Sequence, residues 1–135
     1  MLEVLAPYLP TVWCLLAVGG LILVQLLVAD LIGLRNGHVP GDTVVASHKD
    51  LHFRATRAHA NTNESVTAFV PLVLVGVALG ADAGWLNGLS IAYCGARVAH
   101  MVCYWLGFSM ARSLSFIVSL VSLFGLLIVG IAAVF

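Results

Sequence analysis

Arg54 to Glu64 reads RATRAHANTNE, and the apolar run Val66 to Leu79 follows it directly. Two arginines, a histidine, two asparagines and a carboxylate thus stand just ahead of a stretch long enough to enter a membrane. Placed on one helix, Arg54, Arg57, Asn61 and Glu64 fall at i, i+3, i+7 and i+10. At about 100° per residue they share an arc of roughly 80°. A polar stripe on the first turns of a membrane helix is costly unless it faces a partner or a wet cavity. The stripe therefore sets both the fold to be expected and where function is to be sought.

Composition supports a membrane setting. Of 135 residues, 61% are hydrophobic and 9% charged, and mean hydropathy is +1.08. A soluble domain of this length carries far more charge. Net charge is zero, which leaves no basic footprint for nucleic acid. Cys14, Cys94 and Cys103 lie singly in apolar segments, without the paired spacing of a disulfide or metal framework. The N-terminus, MLEVLAPYLP, lacks a positive n-region and runs into an apolar stretch well beyond signal-peptide length, so the first segment reads as a retained anchor.

Working outward from the stripe, the chain divides into four apolar segments, expected as helices at about 11–34, 55–81, 85–108 and 112–135 of a single domain, 1–135. Each is near the length that spans a bilayer. The expected fold is all-α: an integral membrane four-helix bundle. Asn36 to Phe53 is the one long connection, with Gly37, Pro40, Gly41 and Asp42 as breakers, whereas Gly80–Gly84 and Gly107–Ala111 are tight turns between antiparallel neighbours. Arg35, Lys49, Arg54, Arg57 and Arg112 side with the first and third connections, while the termini and the second connection offer only Glu3 and Asp82. The positive-inside bias places both termini outside and the long loop in the cytoplasm. Gly76, Gly80 and Gly84 recur at a spacing that lets helices approach closely, within a subunit or between subunits.

The third segment carries a second stripe. Arg97, His100, Tyr104 and Phe108 share an arc of about 80°. Glu64 lies roughly 10 Å in from Arg57 and Arg97 roughly 16 Å in from Phe108, at 1.5 Å per residue, close enough to expect a Glu64–Arg97 pair. Mutual neutralisation of that pair would lock the bundle and do nothing more. It leaves a surplus, because Arg54, Arg57, Arg97 and Arg112 outnumber Asp30 and Glu64 in the layer, with His100 and Asn61 beside them. A polar cavity with positive excess suits a small anionic ligand bearing carboxylates. Tyr104 and Trp105 read equally as belt aromatics, and His59 as an interfacial residue. His38, His48, His52 and His59 show no helical ligand pattern, and neither metal spacing, a phosphate-binding glycine loop nor a serine triad is legible. One charged layer near a single face gives no through-path for a channel or transporter.

These residues resemble a known family. RAHANTNE, with Pro71 further on, is similar to the signature of the MAPEG family (membrane-associated proteins in eicosanoid and glutathione metabolism). ARVAHMVCYWLG, followed by ARS at Ala111–Ser113, resembles the third- and fourth-helix region of its prostaglandin E synthase and microsomal glutathione transferase branches. The resemblance implies a homotrimer with glutathione bound between subunits near the cytoplasmic face, and a hydrophobic or lipid electrophile as second substrate. It implies glutathione contacts at Arg57, Asn61 and Glu64, and at Arg97, His100 and Tyr104, with Arg35 reaching a neighbouring site. It gives Arg112 the task of stabilising the thiolate, with the Ser113 hydroxyl beside it. The implied setting is a multi-pass membrane protein, in the inner membrane of a bacterium or the endoplasmic reticulum of a eukaryote, with its site toward the cytoplasm.

The chain also departs from that pattern. Ala60 stands where some members have an arginine, Phe116 where several have a tyrosine, and the span from Tyr104 to Arg112 is one residue shorter than in the prostaglandin branch. Two readings follow: a glutathione-dependent transferase or peroxidase, or a non-catalytic member of the same fold that acts as a lipid-binding or interaction subunit.

Overall fold

The computed structural model describes residues 2–135. A short helical turn, Leu2–Leu5, and a 3-10 turn, Ala6–Tyr8, lead into four long helices: α1 Leu9–Arg35, α2 Leu51–Ala78, α3 Ala83–Leu106 and α4 Ser109–Ala132. Among the described residues there is no strand. Glu3–Arg35 and Ser109–Ala132 are apolar enough to cross a membrane, with mean hydropathies of 2.5 and 2.6 over their best windows. α2 and α3 are as long but carry the two polar stripes, which lower their mean hydropathy.

Helices α2, α3 and α4 begin two to four residues earlier than the hydropathy pattern predicts, and local hydrogen bonds explain why. The Asp50 carboxylate accepts from the His52 backbone N–H and starts α2 at Leu51, well before the apolar run. Asp82 does the same for α3 by accepting from Trp85. Gly107 ends α3 in the left-handed region, φ 81°, where a side chain would be strained. Only Gly107 and Phe108 separate α3 from α4.

The order of contacts fixes directions. At the end that bears the termini, Tyr8 Oη donates to the Ala81 carbonyl at 2.6 Å, and Thr11 Oγ1 lies 2.7 Å from Asn87 Oδ1. At the other end, which bears the 36–50 loop, Gly33 of α1 packs against the His52 ring of α2. α1 and α3 therefore run parallel, with α2 antiparallel to both. α1 packs on α2 and α3, and α4 packs on α3 and α2.

The interior changes character along its length. In the terminal half its large side chains are apolar, with Val18, Phe69, Val73, Leu86 and Leu126 around Tyr93, which stacks on Phe69 at 4.2 Å between ring centroids, and its buried polar groups, Thr11 and Ser90, are small. Gly76 makes room there: a Cβ on it would lie 2.7 Å from Leu86 Cδ1. In the loop half the buried side chains are small or polar: Ala29, Ala55, Ala58 and Ala96, with Gln25, Thr62, Arg97 and His100. Alanines bring the helix axes close and leave the polar groups to define the remaining space.

Candidate functional site

At the loop end, α2, α3 and α4 diverge around a cleft of about 440 Å³. Its lining comes from all three helices: Asn61 of α2, His100 and Tyr104 of α3, and Arg112, Ser113, Phe116 and Ile117 of α4. The short Gly107–Phe108 link places the first turn of α4 beside the last turn of α3. The Arg112 guanidinium consequently lies over the Tyr104 ring, 4.5 Å from its centroid, a cation–π contact. Tyr104 in turn meets His100 edge-on at 5.0 Å. Among the described residues no carboxylate pairs with Arg112, and its one side-chain hydrogen-bond contact is with His48 Nδ1, 3.5 Å from Nη1. The cleft thus presents a cation with its charge uncompensated, beside an amide and an imidazole. Phe116 and Ile117 make the remaining wall apolar and are 39% and 54% exposed.

Five of the expected site residues meet here: Asn61, His100, Tyr104, Arg112 and Ser113. Ser113 already spends its proton, since Oγ donates to the Ser109 carbonyl at 3.1 Å. Four others lie outside the cleft lining. Arg57 is half-buried and makes no hydrogen bond to the described residues, and Glu64 and Arg35 are exposed.

Arg97 is fully buried, and the expected Glu64–Arg97 pair is absent. Its Nη2 donates instead to Thr62 Oγ1 at 2.9 Å, and its Nε and Nη1 have no partner. Thr62 and Glu64 are about 200° apart around α2, so the face that meets α3 carries the threonine and turns the carboxylate away. Similar depth does not make a pair when the two side chains leave their helices at different azimuths. Behind the cleft wall, Asn61 Oδ1 and His100 Nδ1 are also buried and unpaired.

Arg54, counted in the cationic surplus, is committed elsewhere. Its guanidinium donates to the carbonyls of His48, Lys49 and Trp105 at 2.9, 3.1 and 3.2 Å, tying the long loop to the end of α3. That clamp carries His48 to the cleft, where its ring stands 6.5 Å from that of Tyr104. No signal in the sequence marks His48, because a loop residue has no periodicity to betray where it lands.

This arrangement of two polar stripes meeting an arginine at the start of a fourth helix can be set against known families. The sequence model of the MAPEG family matches residues 10–132, nearly the whole chain and all four helices. The chain belongs to the MAPEG family. It is accordingly a membrane protein of helical-bundle type, in a family that includes glutathione transferases and synthases as well as non-enzymes. No curated protein matches the chain. Within this MAPEG protein, both stretches that carry the resemblance, Arg57–Glu64 and Arg97–Ser113, contribute residues to the same cleft.

Proposed function

We propose that the protein is a glutathione-dependent membrane transferase or peroxidase acting on hydrophobic electrophiles. The observation that carries the reading is the unneutralised Arg112 guanidinium, set between polar groups of three helices and an apolar wall. An ordinary thiol has a pKa of about 8.5, and a neighbouring cation favours its thiolate. Arg112 is the residue placed to hold that sulfur. Asn61, His100 and Tyr104 supply donors for the carboxylates and amides of the tripeptide. Phe116 and Ile117 form the side from which an electrophile dissolved in the bilayer would approach. The protein's contribution is thiolate formation and positioning, each an established source of rate. In transfer, the thiolate attacks the electrophilic carbon and expels its leaving group or opens its ring. In peroxidase action, it attacks the terminal hydroperoxide oxygen, breaking the O–O bond to release the alcohol and leave a glutathione sulfenic acid, which a second glutathione thiolate converts to the disulfide with loss of water.

In this reading all four helices span the membrane, with the loop end in the cytoplasm and both termini outside. Three copies associate, so that Arg57, Glu64 and Arg35, which lie outside the cleft of their own subunit, serve or seal a neighbour's. Thiolate absorbance in the far ultraviolet tests the proposal. Adding glutathione to the purified protein should give a thiolate band at neutral pH that Arg112→Ala abolishes. A band that is absent, or the same in both proteins, would exclude Arg112 as the stabilising group.

A second reading, a non-catalytic lipid-binding or interaction subunit, draws on two observations: the Ser113 proton is committed to the helix backbone, and Phe116 brings no hydroxyl to the cleft. It predicts no thiolate band from either protein.

A further inference from the structure

A second cleft opens at the loop end between α1, α2 and the 36–50 loop, with a volume of about 480 Å³. No residue of α3 or α4 lines it, so it is separate from the glutathione cleft and does not depend on that reading. Asp30, Asp42, His38, His52 and His59 supply its polar part. Asp30 lies five residues before the end of α1, on a helix otherwise apolar around it. Both carboxylates are exposed, and neither is paired with a cation among the described residues.

His52 is the independent observation. Its side chain is only 7% exposed, its ring nitrogens bond to no protein atom, and yet neither is sealed from the cleft that it lines. It is held in place by His38, edge-on at 4.8 Å, and by Gly33, where a Cβ would lie 2.9 Å from its Nε2. The ring is therefore held in place with its nitrogens free to bond a group that enters the cleft.

The chemistry of that partner follows from the lining. Among the described residues no three His, Cys, Asp or Glu side chains converge as a metal site. Two carboxylates and an unpartnered imidazole around a cleft of this size therefore suit an organic cation better than a bare ion. A primary ammonium offers N–H donors to such acceptors, whereas a quaternary ammonium offers none. Leu26 and Leu34, one turn either side of Asp30 on α1, continue into Leu23, Leu27 and Leu31, all exposed. A cation that enters here meets a carboxylate flanked by hydrocarbon along the same helix.

We infer that this cleft binds the headgroup of a primary-amine phospholipid of the ethanolamine type, its ammonium on the Asp30 and Asp42 carboxylates, with His52 lining the same cleft, and its acyl chains along α1.

The test uses the full-length protein in nanodiscs made of equal parts ethanolamine and choline phospholipid. After extraction and partial delipidation, the lipids retained are counted by mass spectrometry. Ethanolamine lipid should be enriched over choline lipid roughly threefold or more, the scale of one partly exposed ion pair. Asp30→Asn and His52→Gln should each bring the ratio back toward one. Asp42→Asn, in the loop and remote from helix packing, should lower it without any effect on folding, so the inference stays testable if either helix variant misfolds. Retention in the ratio of the bulk lipid, or enrichment unmoved by Asp42→Asn in a folded protein, would overturn the inference. So would displacement of the lipid by millimolar free ethanolamine, which would make the occupant a soluble amine.

Discussion

Arg97 is a guanidinium with no exposed surface and a single neutral acceptor, Thr62 Oγ1. Burying an ion without full pairing costs on the order of several kcal/mol, so the one bond it does make should matter more than an average hydrogen bond. Thr62→Val keeps the shape and removes the acceptor. It should lower stability by about 1.5–3 kcal/mol in a thermal or denaturant melt. Thr67→Val, at an exposed residue that donates only to the Glu64 carbonyl, should change it by less than about 0.5 kcal/mol. Equal effects would mean that Arg97 finds other partners. At this scale the sequence is informative about which residues are polar and how deep they lie, because helical rise is regular. It does not name partners. Glu64 and Thr62 are two residues apart, and only the rotation of α2 against α3 decides which of them Arg97 meets. Arg54 shows the same limit: it sits in the RATRAHANTNE stripe, yet its Nη1 is taken by loop carbonyls that no pattern predicts.

Helices pack here through small residues, and the glycines differ sharply in what surrounds them. A Cβ at Gly76 would press on Leu86, which is itself completely buried, whereas one at Gly19 meets nothing within 4 Å. Gly76→Ala should therefore destabilise the bundle by about 1–3 kcal/mol through overpacking. Gly19→Ala should be neutral or stabilising by up to about 1 kcal/mol, because alanine is the better helix former. Thermal unfolding in one detergent compares them, and the reverse order would refute the close α2–α3 approach. Four long helices were legible from hydropathy and from the glycine and proline breakers. Their first residues were not, because Asp50 and Asp82 start α2 and α3 ahead of the apolar runs. Of the Gly76–Gly80–Gly84 row, Gly76 is closely packed by another helix within the subunit, while Gly80 sits in a turn at φ 67° with nothing near its Cβ position.

Over the whole molecule, the mainly apolar interior of the terminal half and the more polar interior of the loop half distinguish the two ends of the bundle, and the candidate site lies at the loop end. Arg57 and Glu64 remain without partners at the site end, which is costly for an isolated subunit in a membrane. Association of three copies would bring a neighbour to them. Native mass spectrometry from mild detergent should then show a trimer, and a monomer that still binds glutathione would remove the neighbour from the account. The central claim is narrower than assembly: the α2–α3–α4 cleft holds glutathione through Arg112. Isothermal titration of the purified protein with glutathione tests it most directly. The account predicts saturable binding at or below millimolar concentration that Arg112→Ala weakens at least about tenfold, or about 1.4 kcal/mol. No binding at millimolar glutathione, or binding of equal strength in the two proteins, would contradict it.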